Sequence, residues 1–178
     1  MTSEFIKNTG KLLGGNAAAQ LIGVLAIPII TRLYSVEAYG MFSVILALGL
    51  VFSPLSTLSF HLAILIPKTD VEALKVLKMA CGFTLAFCMS LALLLSTNNK
   101  FLSLMELESA SLLIYILPAL VLSQSLYLIL TYWGIRQRQF GRVGNVKILE
   151  AVIDRMIAIS SAFAGYISVY SLVIARFL

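Results

Sequence analysis

Charge is scarce in this chain. Only 12% of its 178 residues are Asp, Glu, Lys or Arg, histidine occurs once and cysteine twice. No loop between the long uncharged stretches is long enough to bury a core of its own, so no soluble domain is expected. Paired carboxylates, or a nucleophile beside a base, are what a membrane-embedded enzyme would place in a loop. The outer loops hold only Glu37, Glu106 and Glu108, with no His or Cys beside them. The glycine-rich passage "GKLLGGN" lacks the Gly-Lys-Ser/Thr of a phosphate-cradling loop and opens an apolar helix instead. Neither enzyme activity, a metal site nor a cofactor is expected. Cys81 and Cys88 lie seven apart on one predicted helix, two turns from each other, too far for a disulfide within that helix. Both read as small lipid-facing or packing residues.

What the chain has instead is apolar length. Residues 12–31, 38–60, 79–99, 109–135 and 156–175 contain no Asp, Glu, Lys, Arg or His. A helix rises about 1.5 Å per residue and a bilayer core is about 30 Å thick, so each stretch is long enough to cross. The expectation is an all-α polytopic membrane protein, a single transmembrane domain over residues 1–178. The spans are placed at about 12–33, 39–60, 79–97, 110–133 and 146–166, with a partial sixth at 168–178. The first uncharged run is longer than the apolar core of a cleaved signal peptide, so the first span is expected to stay in the protein.

The cations are sorted by loop. Lys7 and Lys11 precede the first span, Lys68, Lys75 and Lys78 follow the second, and Arg136, Arg138, Arg142 and Lys147 follow the fourth. The alternate loops hold only Arg32 and Lys100. By the positive-inside rule the amino terminus and the loops at 61–78 and 136–147 are cytoplasmic. The net charge of +5 is thereby accounted for by topology, and nucleic acid is not an expected partner.

The first span carries Gly14, Gly15, Ala17, Ala18, Ala19 and Gly23, a small-residue surface that lets a neighbouring helix approach. Asn16 and Gln20, four residues apart, share a face that continues through Gly23, Ile27 and Thr31. Amides facing lipid would go unsatisfied, so this face meets either another helix or a water-filled cavity. Pro28, Pro54 and Pro118 fall inside spans and are expected to bend them, a feature frequent in helices that rearrange around a midplane site.

"PKTDVEALKVLK" reads as a helix start, with Thr69 or Asp70 as cap and Glu72 completing a capping box. His61, just before it, can titrate near neutral pH, and it reads as a solvated interfacial residue in preference to a proton relay. "TYWGIRQRQFGRVGNVK" mixes interfacial aromatics (Tyr132, Trp133, Phe140) with four cations. It reads either as an anchor on anionic lipid headgroups or as a set of forks for phosphate or pyrophosphate. The candidate headgroup contacts are Arg136, Arg138, Arg142 and Lys147.

The fifth element has two registers. Read as 156–175, it leaves Asp154 and Arg155 at the interface. Read as 146–166, the favoured register, it carries Glu150, Asp154, Ala158, Ser161 and Gly165 as one polar-to-small stripe. Charges at that depth must face protein or water, so the stripe would line a cavity. "SVYSLVIARFL" is then the opening of a sixth span.

Three passages resemble the Wzx-type polysaccharide (O-antigen) flippases of the multidrug/oligosaccharidyl-lipid/polysaccharide exporter superfamily. "TRLYSVEAYGMFSV" at 31–44 is similar to the family's Thr-Arg-Leu-Tyr-Ser-Pro-Glu run, with Val36 in place of proline and Ala38 in place of an acidic residue. "LSFHLAILIPKTDVEA" at 58–73 is similar to Leu-Arg-Tyr-Glu-x-Ala-Ile-x-Leu-Pro, with Ser59 and His61 where the family has Arg and Glu. "YWGIRQRQFGRVG" looks like the Tyr-Trp and basic continuation after the family's fourth helix.

The resemblance implies an incomplete first lobe of a two-lobe transporter in the bacterial inner membrane, as a fragment, a truncated product or part of a split transporter. Such a transporter moves an undecaprenyl-pyrophosphate-linked glycan between leaflets by alternating access, with a second lobe as partner and membrane lipid around both. It implies a role for Arg32, which matches the family's arginine at the outer end of the first helix. Asn16, Gln20, Asp154 and Arg155 join it as candidate lumen residues from their own polar faces. A multidrug or small-cation exporter, with Glu150 and Asp154 as its acidic residues, is the nearest rival, and a non-transporting membrane subunit is the other.

Overall fold

A chain surrounded by lipid must satisfy its backbone from within, and uninterrupted helices do so. The computed structural model describes residues 2–97, 111–164, and Leu172 with Val173, and contains no strand among them. Its helices are α1 (Thr2–Leu33), α2 (Val36–Ser56), α3 (Phe60–Ala63), α4 (Asp70–Thr97), α5 (Ser111–Arg136) and α6 (Phe140–Phe163). Four of the described helices are long and apolar enough to cross a membrane, over Leu13–Leu33, Val36–Ser56, Asp70–Thr97 and Tyr115–Arg136. Their outer faces carry Leu25, Leu50, Val51, Met89 and Leu93 more than half exposed. Large apolar side chains exposed along helices of this length suit lipid rather than water, and the chain is a membrane protein on these grounds.

The residues fall into two compact units. One gathers Met1–Phe42 and Gln137–Leu178, the other Ser43–Arg136.

In the first unit α1 and α6 run parallel. Gly15 meets Gly144 and, farther along both helices, Gly23 meets Arg155, while Tyr34 just past the end of α1 reaches Ala158 and Ser161. The break between α1 and α2 is made by local bonds. Tyr34 N–H closes the last turn on the Ile30 carbonyl (2.9 Å), and the Ser35 hydroxyl accepts from Ala38 N–H (3.2 Å) as the N-cap of α2.

In the second unit α4 packs antiparallel to α5, with Val76, Leu77, Ala80 and Cys81 from α4 meeting Ile129 and Trp133 from α5 around Ile64 and Phe60. The 43–56 part of α2 lies parallel to α5. Ser53 Oγ donates to Gln124 Oε1 (3.1 Å) and Ser56 Oγ lies 2.7 Å from Ser125 Oγ. Cys81 is thus a packing residue, and Cys88 is buried; both are free thiols.

Several sequence expectations shift. The second span does not continue to Phe60: α2 stops at Ser56, and Leu58 and Ser59 take positive φ values of 46 and 58. The hydroxyls of Ser56 and Thr57 bond back to the carbonyls of Ser53 (2.8 Å) and Pro54 (3.0 Å), giving the backbone a local alternative to the helix just where Pro54 has weakened it. His61 is not a solvated interfacial residue. It is 5% exposed, pressed against Tyr132.

The "PKTDVEALKVLK" passage and the third span form one 28-residue helix, capped as expected by Thr69, whose hydroxyl accepts from Glu72 N–H (3.3 Å). At about 1.5 Å per residue it is roughly 42 Å long, so it exceeds a hydrocarbon core of about 30 Å by some turns. The fifth element starts six residues before the favoured register, at Phe140, and is not among the four helices apolar enough to span. Five charged residues account for that: Arg142, Lys147, Glu150, Asp154 and Arg155. Gly165, Tyr166 and, apart from Leu172 and Val173, the partial sixth span lie outside the described residues.

Candidate functional site

Four of the charged and amide side chains singled out in the sequence, Asn16, Lys147, Asp154 and Arg155, come together on the contact between α1 and α6. The contact begins with glycine. A Cβ on Gly15 would sit 2.6 Å from Gly144 Cα and 2.9 Å from its carbonyl oxygen, so the two backbones touch with no side chain between them. Of the small residues in the first span, Gly15 makes this approach; a Cβ on Gly14 would meet open space.

Polar groups follow along the contact from this point towards the carboxyl ends of both helices. Lys147, three residues beyond Gly144, donates its Nζ to Asn16 Oδ1 (2.9 Å). This joins a candidate headgroup cation to a candidate lumen amide and gives the Asn16 side-chain oxygen a partner on a neighbouring helix. Farther along, Asp154 is 5% exposed. Its Oδ2 pairs with Arg155 Nη1 at 3.2 Å.

Arg155 can fold back to its neighbour because α1 offers glycine opposite. A Cβ on Gly23 would lie 3.6 Å from Arg155 Nη2, an ordinary contact that leaves the guanidinium against the α1 backbone. Its Nε is buried and, among the described residues, finds no acceptor. Arg155 lies roughly 22 Å along α6 from Phe140 at about 1.5 Å per residue, well inside the helix. A charge there is costly unless it is paired or used.

Tyr34 closes the far end. Its hydroxyl, 3% exposed as a residue, donates to the Ala158 carbonyl (2.8 Å) and lies 2.9 Å from Ser161 Oγ. Sequence reasoning missed this residue. The available signal was a tyrosine placed directly after the polar face of the first span and before the Ser35 cap.

The remaining candidates stand apart. Gln20 and Arg32 are exposed and make no hydrogen bond or ion pair among the described residues. Arg138 and Arg142 are exposed as well. Arg138 sits in the left-handed turn between α5 and α6 (φ 55), and Arg142 donates to Gln139 Oε1 (2.9 Å).

Arg136, expected on lipid headgroups, spends most of its guanidinium inside the protein. Nη1 donates to the carbonyls of Ile64 (3.0 Å) and Pro67 (2.9 Å), and Nε donates to Asp70 Oδ1 (3.1 Å). These are bonds that hold the turn before α4. A positive-inside count cannot distinguish such an arginine from a lipid anchor.

The α1/α6 contact is therefore a small-residue helix pair carrying one amide–ammonium bond, one acid–guanidinium pair with an unused N–H, and one phenol cap. An anionic oxygen is the complement of that unused N–H, and an arginine fork is the side chain best matched to phosphate. No family model, curated protein or solved structure matches the chain.

Proposed function

We propose that the chain forms a helical lobe of a flippase for a lipid-linked oligosaccharide of the undecaprenyl-pyrophosphate type, in the bacterial inner membrane with its amino terminus in the cytoplasm. The single observation that carries the reading is Arg155. It lies inside a membrane-protein helix, beside Gly23, ion-paired with Asp154 and with a buried Nε left over. A doubly charged headgroup leaving water needs such a cation. The resemblance of "TRLYSVEAYGMFSV", "LSFHLAILIPKTDVEA" and "YWGIRQRQFGRVG" to the Wzx-type flippases gives the headgroup its chemistry. The same reading makes the protein a transporter rather than an enzyme and gives it a second lobe as partner, since alternating access needs two bodies that rock against each other.

Asp154 favours a second reading. A buried carboxylate is what a small-cation exporter would present, and here it is the more buried member of the pair. The neighbouring guanidinium opposes that use by holding the carboxylate already.

Binding separates the two. The purified chain in nanodiscs should retain radiolabelled undecaprenyl pyrophosphate over undecaprenol, and Arg155→Gln should lose most of that preference. Equal retention of both lipids, or a preference untouched by Arg155→Gln, would reject the flippase reading. Retention of a lipophilic cation that disappears in Asp154→Asn would select the exporter. Transport itself is read by co-expression with a downstream lobe in cells lacking their own flippase, scored as surface polysaccharide.

A further inference from the structure

The strongest feature outside the α1/α6 contact is the turn from Thr57 to Thr69, which joins α2 to α4 and is gripped by one stripe of α5. Ser125, Ile129, Tyr132 and Arg136 are spaced four, three and four residues apart, and so share one face of that helix. Each holds a different part of the connection. Ser125 Oγ meets Ser56 Oγ (2.7 Å) at the end of α2, and Ile129 packs on Ile64. Tyr132 stands edge-on to His61 with ring centroids 5.1 Å apart, and Arg136 binds the carbonyls of Ile64 and Pro67 together with Asp70. The turn needs this grip. Leu58 and Ser59 are consecutive non-glycine residues in the left-handed region, and such strained backbone persists only where its surroundings hold it.

We propose that this connection is a proton-sensitive clasp, closed while His61 is neutral and loosened when His61 takes a second proton. His61 is buried, and its Nδ1 lies 2.8 Å from Thr57 Oγ1. The same Thr57 hydroxyl lies 3.0 Å from the Pro54 carbonyl, so it ties the imidazole to the end of α2. Protonation would make both ring nitrogens donors and add a full charge.

The surroundings offer that charge little. The end of α2 faces it with the uncharged Thr57, and α5 with the phenol of Tyr132 and, one turn on, with a second cation, Arg136. The side of α4 that packs around α3 is Val76, Leu77, Ala80 and the thiol of Cys81, while Glu72, Lys75 and Lys78 are exposed and Asp70 is held by Arg136. No carboxylate is bonded to His61 among the described residues.

Burial accordingly holds the imidazole below its ordinary value of 6.5. The sign follows from linkage. Above about pH 6.5 the open and closed turns both carry neutral His61, and the clasp has its full stability. As the pH falls below that value the open form takes the proton first, and closure weakens until the pH has passed the depressed value of the closed form. The inference is independent of the transport reading and can fail or stand without it.

The chain has a single histidine, so the imidazole gives one resonance in the full protein. Two measurements on the chain in micelles test the clasp. The His61 resonance should titrate with a midpoint below 6.5. Amide exchange across residues 57–69, corrected for its intrinsic pH dependence, should accelerate between about pH 7.5 and about pH 5, by about tenfold for each unit of depression. His61→Gln, which cannot titrate, should lose that acceleration. A midpoint at or above 6.5, or an acceleration that persists in His61→Gln, would overturn the proposal. If the variant does not fold, the wild-type midpoint and exchange profile decide it: coincident windows support the clasp, and a flat exchange profile through the titration rejects it.

Discussion

Gly15 of α1 lies against Gly144 of α6 so closely that a Cβ on the first would fall 2.6 Å from the Cα of the second. The obstacle is backbone, which no rotamer change removes, so Gly15→Ala must push the two helices apart. A loss of roughly 1–3 kcal/mol is expected, the range seen when a well-packed contact is overfilled. Gly14→Ala puts its Cβ in open space and should be neutral or slightly stabilising, by up to about 1 kcal/mol from helix propensity. Thermal unfolding of the two variants in the same detergent makes the comparison. Equal behaviour would mean that α1 and α6 do not pack through these glycines.

Tyr34→Phe removes the hydroxyl that bonds the Ala158 carbonyl and meets Ser161 Oγ. The expected cost is about 0.5–1.5 kcal/mol, that of one net hydrogen bond, because Ser161 still donates to the same carbonyl (3.0 Å). The loss should disappear when measured in a Gly15→Leu background if α1 and α6 are already separated there. A double-mutant cycle on unfolding midpoints reads this directly.

Arg136→Lys keeps the charge and should still loosen the turn before α4. The guanidinium serves two carbonyls and a carboxylate from fixed directions, and an ammonium on a flexible stem cannot reproduce that fork. Removing it leaves the partly buried carbonyls of Ile64 and Pro67 unpaired, at about 1–3 kcal/mol. Asp70→Asn should cost less than about 1 kcal/mol, because the Asp70 side chain is 70% exposed and water screens the pair. Limited proteolysis between residues 57 and 69 should rank Arg136→Lys above Asp70→Asn. The reverse order would place the hold in the ion pair rather than in the carbonyls.

The helical membrane architecture was legible in the sequence because uncharged length is itself the requirement for crossing a bilayer. Four of the expected spans have counterparts among the four apolar helices. What was not legible depended on partners far away in sequence. His61 beside a lysine-rich segment reads as interfacial until Tyr132 and Thr57 are seen to enclose it. Arg136 reads as a lipid anchor until the carbonyls of Ile64 and Pro67 are found within its reach. The end of α2 was obscured because Ser56, Thr57, Leu58, Ser59 and Phe60 are all uncharged, and the hydropathy of a run says nothing of its hydroxyls bonding back to carbonyls. Asn16, Asp154 and Arg155 were singled out from their positions on polar faces, and the structure places all three along the α1/α6 contact. The glycines opposite them gave a surface without saying which residue would be touched.

Gly23 offers the sharpest test of how Arg155 is held. The space over Gly23 is bounded by Arg155 Nη2 at 3.6 Å from a notional Cβ, which is ordinary van der Waals distance. Gly23→Ala should therefore leave both folding and undecaprenyl-pyrophosphate retention within about twofold of wild type, a surface-like change of about 0.5 kcal/mol or less. Gly23→Val adds branches where the guanidinium lies and should displace it from its place against α1. Retention should then fall by about tenfold, the equivalent of about 1.4 kcal/mol. Gly14→Val, on the same helix with open space over its Cα, controls for the loss of helix propensity on replacing glycine by a β-branched residue. Retention that falls in Gly23→Val and not in Gly14→Val locates the anion at Arg155. Retention that falls equally in both would trace the effect to α1 itself and remove the argument for a guanidinium site on α6.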